Sequence, residues 1–447
     1  MLSVRCPGTS DRRSFLRTGL TAFGGLTLAD LYRLQAKTAE SVSPKSMIVL
    51  WLWGGPSHME TFDLKPNAPI EYRGEFKPIR TNVLGIEISE HLPKLAKLAD
   101  KYVLLRSLSH GSSGHVNSTH TVLTGYPGEV MEAPPYKPKY PDCFAVANKL
   151  LGECKPGLPP FVSLPSQRYQ GAAYLGSTLD PMNVGTDPNY EGFQVPGLTV
   201  AAENRPRFGE KMGLLKQFDS VRRDIDQSRL MHGLDEYQQK ASGVLLSDAA
   251  RRAFEVQKED PRLRDRYGRN VVGQRCLLAR RLVEAGVRLV TIDFPCVPGQ
   301  KAFSWDDHAS VWNIFEQMKI RLPVLDQVTS ALIEDLDERG LDKDVLLVVM
   351  GEMSHTPKLS NHEGQPGREH WGQSMSAFMS GGGMKMGQVI GSTNHKGDEP
   401  RDRPLTPGDL LATWYQYLGV PLDTHFNDLT GRPTPILPEG KPIDELF

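Results

Sequence analysis

Residues 345–355 read VLLVVMGEMSH: six continuous apolar residues, a glycine, then a glutamate and a histidine within four positions of each other. An uninterrupted apolar run of that length suits a strand covered on both faces, which is how parallel sheets are buried. Met47–Trp53 (MIVLWLW) and Val287–Phe294 (VRLVTIDF) repeat the pattern. The run at 345 follows an amphipathic helix expected over Leu322–Arg339 and stopped by Gly340. The run at 287 follows one expected over Gly273–Ala285 and stopped by Gly286. Helix, glycine stop and strand make the αβ half of a βαβ unit. A further pair is expected as a helix over Ser89–Ala99 leading into a strand over Tyr102–Leu105. The fold class is therefore α/β, with a parallel sheet between helices.

Each of these strands opens into a loop rich in His, Asp and Glu, at the sheet edge where open α/β proteins gather ligands. After the first come His58 and Asp63; after the second, Asp306, Asp307 and His308; after the third, Glu352 and His355. The short strand at 102 leads to His110, His115 and His120. Mixed carboxylate and imidazole sets suit divalent cations. Asp306 and His308 stand at i and i+2, so in an extended segment both face one side and can reach one ion. The bland alternative is a turn-capping aspartate beside an ordinary loop histidine. Gly367–Trp371 (GREHW) adds Arg368, able to grip an anionic oxygen, and His370, able to ligate metal or carry a proton. Its bland alternative is a salt-bridged loop. No Gly-x-Ser-x-Gly elbow, P-loop, dinucleotide-binding glycine fingerprint or His-Glu-x-x-His motif is present.

The charge balance of 52 Lys+Arg against 53 Asp+Glu excludes a nucleic-acid binder held by bulk charge. An apolar content of 39% excludes a disordered chain and a polytopic membrane protein. Gly (42) and Pro (34) make long loops expected over 447 residues. Residues 10–16 (SDRRSFL) precede a weakly apolar stretch, the arrangement of a twin-arginine export signal over residues 1–39. Arg17, Asp30 and Arg33 make that stretch too polar for a stable membrane span. Its removal leaves a net charge of −5 and four cysteines, Cys143, Cys154, Cys276 and Cys296, with three possible pairings. The expected location is periplasmic or extracellular. Residues 126–260, rich in Pro and Gly and then helical and charged, are expected as an insertion or cap over the sheet.

The ordered series IVLWLWGGPSHMETFDLKP, LLRSLSH…HVNSTHTVLTGYP, FSWDDH, VLLVVMGEMSHTPK, GREHW, DLLATWYQYLGV and GKPIDELF resembles the domain of unknown function 1501 family over residues 45–447. That family is similar to the alkaline phosphatase/sulfatase superfamily. The resemblance implies an alkaline-phosphatase-like fold: a mixed, mostly parallel sheet sandwiched by helices, with a two-metal site at the strand ends. Glu352 stands where the superfamily has a metal-binding Asp. Asp306 and His308 resemble its Asp…His pair at shorter spacing, and His370 its late metal-binding His. His115 falls where the superfamily has its Ser, Thr or Cys nucleophile, so it would be a nucleophile, a ligand, or a sign of lost covalent catalysis. Asp directly at the first strand end is replaced by Trp-Gly-Gly, leaving Asp63 or His58 to substitute. Cys296-Val-Pro-Gly-Gln300 lacks the Arg of a formylglycine site, which disfavours a standard sulfatase.

The expectation is thus an exported hydrolase of phosphate or related anionic esters, acting on a small molecule or a polysaccharide. It would hold two divalent ions (Zn, Mn, Mg or Ca) on Asp306, His308, Glu352 and His370, with Asp63 and His58 as further candidates. His115 and Arg368 would be the catalytic pair. The alternatives are a secreted non-catalytic binding protein that keeps the fold, and an atypical sulfatase without formylglycine.

Overall fold

In the computed structural model, residues 44–128, 137–195, 247–301 and 305–447 are described. The expected export signal, 1–39, and residues 129–136 and 196–246 of the expected cap lie outside them.

The main sheet has eight strands: β1 (Ser46–Trp51), β2 (Tyr102–Leu108), β3 (Phe161–Leu164), β4 (Met182–Asn183), β5 (Leu289–Asp293), β6 (Val345–Met350), β7 (Met375–Gly381) and β8 (Gln388–Ile390). Their order is β8-β2-β7-β6-β1-β5-β3-β4. β1 runs parallel to both β5 and β6, and β7 alone runs antiparallel, between β6 and β2. The sheet is therefore mixed and mostly parallel. The helices are α1 (His115–Thr124), α2 (Cys143–Leu151), α3 (Asp248–Phe254), α4 (Pro261–Tyr267), α5 (Val271–Ala285), α6 (Ile314–Glu338) and α7 (Pro407–Leu418).

Alternation along β1 splits the core into two layers. Ile48 and Leu50 join Leu277 and Leu278 of α5 and Leu322 and Leu325 of α6 on one face. Met47, Val49 and Trp51 join Val122 of α1, Phe144 of α2 and Trp414 of α7 on the other. All six residues of β1 are buried, as are all six of β6, which accounts for their unbroken apolar sequence. Gly286 closes α5 in the left-handed region at φ 115°, and Thr406 caps α7 by accepting from the Asp409 N–H.

Two expectations are corrected. The helix expected over Ser89–Ala99 is a 3-10 turn at Leu95–Lys101, preceded by a short ribbon strand at Glu87–Ser89. Within the expected cap, β3 and β4 instead extend the main sheet beyond β5, and α2 covers its face. β3 escaped notice because its four residues lie between Pro160 and Pro165. Cys143, Cys154 and Cys276 are free thiols. No helix among the described residues is long and apolar enough to cross a membrane.

Candidate metal centre

The ends of β1, β5 and β6 point to one side of the sheet, and Gly54 brings their loops together. It sits at φ 108°, and a Cβ there would lie 2.5 Å from the Asp306 backbone nitrogen, so only glycine fits. This close approach lets the Gly54 N–H donate to Glu352 Oε1 at 2.8 Å. The Trp305 N–H donates to the Trp53 carbonyl at 3.0 Å, fixing the residue before Asp306 against the end of β1.

Asp306 is the hub. His115 Nε2 lies 3.2 Å from its Oδ2, while His308 Nε2 and His370 Nε2 lie 2.9 and 3.0 Å from its Oδ1. The last two imidazole nitrogens are themselves 3.0 Å apart. One ligand atom each from His115, Asp306 and His370 falls within 4.8 Å of the others. His115 Nδ1 rests on Glu352 Oε1 at 2.9 Å and His308 Nδ1 on Glu369 Oε2 at 2.5 Å. Each of these carboxylates fixes the outer nitrogen of an imidazole and turns the inner one toward Asp306. Carboxylates behind metal-binding histidines play this part. Glu352 is fully buried, and its Oε2 has no hydrogen-bond partner. His110 Nε2 lies 2.8 Å from the Glu352 carbonyl, holding the backbone behind that carboxylate.

The electrostatics match. Burial alone raises the Asp306 carboxyl, but hydrogen bonds from His115, His308 and His370 reverse this and hold it far below the usual carboxylate range. Burial disfavours charge on His115, yet Asp306 and Glu352 outweigh it and push the imidazole up to about 10. His308 is raised by its hydrogen bond to Asp306, against the opposing effect of burial. Protons here occupy positions that a cation can take over, since metal binding releases protons from its ligands. Three imidazoles with a carboxylate form a donor set suited to Zn or Mn. The residues present therefore fit a divalent ion.

Of the residues expected from sequence, Asp306, His308, Glu352, His370 and His115 come together. His115 has both ring nitrogens on carboxylates, an arrangement that suits a ligand better than a nucleophile. Three others lie apart from the cluster. His58 is buried, with Nδ1 2.6 Å from Ser354 Oγ and Nε2 2.8 Å from the Gly397 carbonyl. Asp63 is paired with Lys65 at 2.9 Å and also hydrogen-bonded by Thr393. Arg368 is corrected from oxyanion clamp to internal strut. It is fully buried, and its five donors go to both Glu60 oxygens and to the carbonyls of Thr356, Pro357 and Tyr72.

Sequence reasoning missed Glu369 as the partner of His308, although both belonged to quoted loops. It also missed the fully buried pair beneath the site, Asp307 with Arg321 of α6. Arg321 lies 4.7 Å from the Trp305 ring, and the Asp307 N–H donates to His355 Nε2 at 3.3 Å. Burial lowers the pKa of His355 well below its ordinary value, so it is a neutral acceptor there.

A family model described as a protein of unknown function (DUF1501) matches residues 44–447, and the chain belongs to that family. No curated protein matches it. Among solved structures, a sulfatase from Pseudoalteromonas sp. is similar at 14% identity and TM-score 0.38, covering 87% of this chain and 70% of its own. A phosphonate monoester hydrolase from Silicibacter pomeroyi is similar at 13% identity and TM-score 0.34, covering 90% and 76%. The C-terminal periplasmic domain of EcEptC from Escherichia coli, in complex with Zn, is similar at 11% identity and TM-score 0.35, covering 85% and 83%.

Proposed function

We propose that this protein is an exported, metal-dependent hydrolase of phosphate or related anionic esters. The observation that carries this reading is the convergence of His115, Asp306 and His370, with ligand atoms within 4.8 Å of one another. Asp306, His115 Nε2, His308 Nε2 and His370 Nε2 would hold the ion, with Glu352 behind His115 through its Nδ1. A divalent cation in such a set supplies Lewis acidity, polarising the ester oxygen and acidifying a water. Glu352 and Glu369 keep His115 and His308 aimed at it, and the surrounding backbone holds both loops rigid. Water adds across the ester, releasing an alcohol and a free anion. The reading of export rests on the Arg12-Arg13 motif ahead of the weakly apolar stretch.

A second reading, a binding protein without turnover, is favoured by His115 standing where the related superfamily carries a hydroxyl or thiol nucleophile. Metal analysis of the purified protein, coupled to hydrolysis of aryl phosphates and aryl sulfates, separates the two. Bound metal with turnover of an aryl ester supports the hydrolase. Bound metal without turnover of either class supports the binding protein, and absence of metal overturns the metal-dependent reading.

A further inference from the structure

With Arg368 committed inside the protein, the arginine presented at the centre is Arg168. Its side chain is exposed, and among the described residues it has no carboxylate partner. The guanidinium carbon lies 3.9 Å from the centroid of the Trp53 ring. Trp53 stacks in turn on His115, with centroids 4.6 Å apart and planes inclined by 26°. The guanidinium's charge also acts on the Asp293 carboxyl at the end of β5, opposing the rise that burial causes there.

The turn that carries Arg168 is built rather than loose. The Ser166 N–H donates to Asn183 Oδ1 at 3.0 Å and the Gln167 N–H to Gln170 Oε1 at 3.2 Å. The next residue, Tyr169, is held at φ 61°, a left-handed conformation that non-glycine residues adopt only when the surroundings enforce it. Stacking on indole restricts a long side chain before any ligand arrives, which lowers the entropy lost on binding. A planar fork of unpaired donors, fixed beside a metal centre, suits bidentate capture of a phosphate or sulfate group.

We propose that Arg168, seated on Trp53, is the anion-recognition residue of the centre and contacts the phosphate or sulfate group of the substrate. This rests on the hydrolase reading for its reaction, but the anion site can be measured separately. The full-length protein loaded with Co(II), and the same protein free of metal, are titrated with inorganic phosphate and with sulfate. Calorimetry gives anion affinity and the visible Co(II) spectrum reports the centre. Arg168→Met is expected to weaken phosphate binding roughly 10- to 100-fold, the range for losing a charged hydrogen-bond partner. Arg168→Lys should fall between, because an ammonium keeps the charge but not the fork. Co(II) affinity and the anion-free spectrum should stay those of the wild type in both variants.

Phosphate affinity of Arg168→Met within twofold of wild type overturns the proposal, as does a wild-type protein that binds neither anion in either form. If the wild type takes up no Co(II) but Arg168→Met loses phosphate binding, the metal reading fails and the anion site stands. If Trp53→Leu weakens phosphate binding in the same direction with Co(II) affinity intact, the seating on Trp53 is supported. An unchanged phosphate affinity in Trp53→Leu removes that part.

Discussion

Arg321→Met tests the foundation of the centre. Arg321 and Asp307 are both fully buried and ion-paired, and Asp307 stands between the two candidate ligands Asp306 and His308. Removing one member of such a pair strands the other charge in the interior, which costs about 3–5 kcal/mol. Loss of the cation over the Trp305 ring, 4.7 Å away, adds roughly 0.5–2 kcal/mol. The single variant should therefore lose about 4 kcal/mol or more, a large fraction of the ~5–15 kcal/mol typical of folded domains. Arg321→Met combined with Asp307→Asn removes both charges and should recover about 2 kcal/mol of that loss, since no unpaired ion is left. Urea unfolding followed by tryptophan fluorescence measures all four corners of the cycle, with the urea dependence expected to stay constant. In parallel, Co(II) affinity should fall in the single variant, because the loop bearing Asp306 and His308 loses its anchor. A single variant within 1 kcal/mol of wild type would refute the reasoning, and so would a double variant as unstable as the sum of the two singles.

Glu369→Gln should lower metal affinity by about 10- to 100-fold without altering the ligand count, as loss of a carboxylate behind a ligating histidine does; competition with a chelator reads this. Adding Zn or Mn at about 100 times its dissociation constant should stabilise the protein by about 2.7 kcal/mol, seen as a raised melting temperature that EDTA reverses. Burial lowers the pKa of His58, with Asp63 and the Gly397 carbonyl opposing, so the folded protein keeps it neutral where the unfolded chain takes a proton. The unfolded state then binds more protons below pH ~6.5, and stability falls as pH drops from there toward the lowered folded pKa, by up to about 1.4 kcal/mol per pH unit for one group. His58→Asn should flatten that acid limb by one proton, and unfolding free energies measured from pH 5 to 7 check it.

The strands were legible where burial on both faces leaves an unbroken apolar run, as in Val345–Met350. Met375–Gly381, interrupted by Ser376 and Ser380, gave no sign of its antiparallel direction, because strand polarity lies in connections rather than composition. β3 and the edge strand β4 were hidden by their brevity and flanking prolines. At the site, the polar loops beyond the strands marked Asp306, His308 and His370 as candidates, and the fold brings the three within hydrogen-bonding distance. Arg368 carried the same signal, but its role is set by Glu60, 308 positions away in the chain. Arg168 lies in a polar turn with nothing local to mark it. Its meaning comes from Trp53, which only the folded chain brings beneath it.

The side chains of the cluster come from three strand exits, after β2, β5 and β6: His115 and Asp306 are 191 positions apart and His115 and Glu352 are 237 apart. An unfolded chain offers a cation no such group, and contacts this distant form only once the sheet has closed. An ion bound there would act as a latch on a finished fold. It would slow unfolding and leave the folding rate almost unchanged, because contacts made last contribute little to the transition state. Loaded molecules would then persist by a high barrier to opening rather than by faster assembly. The compartment in which the sheet closes would accordingly decide which cation the centre takes up.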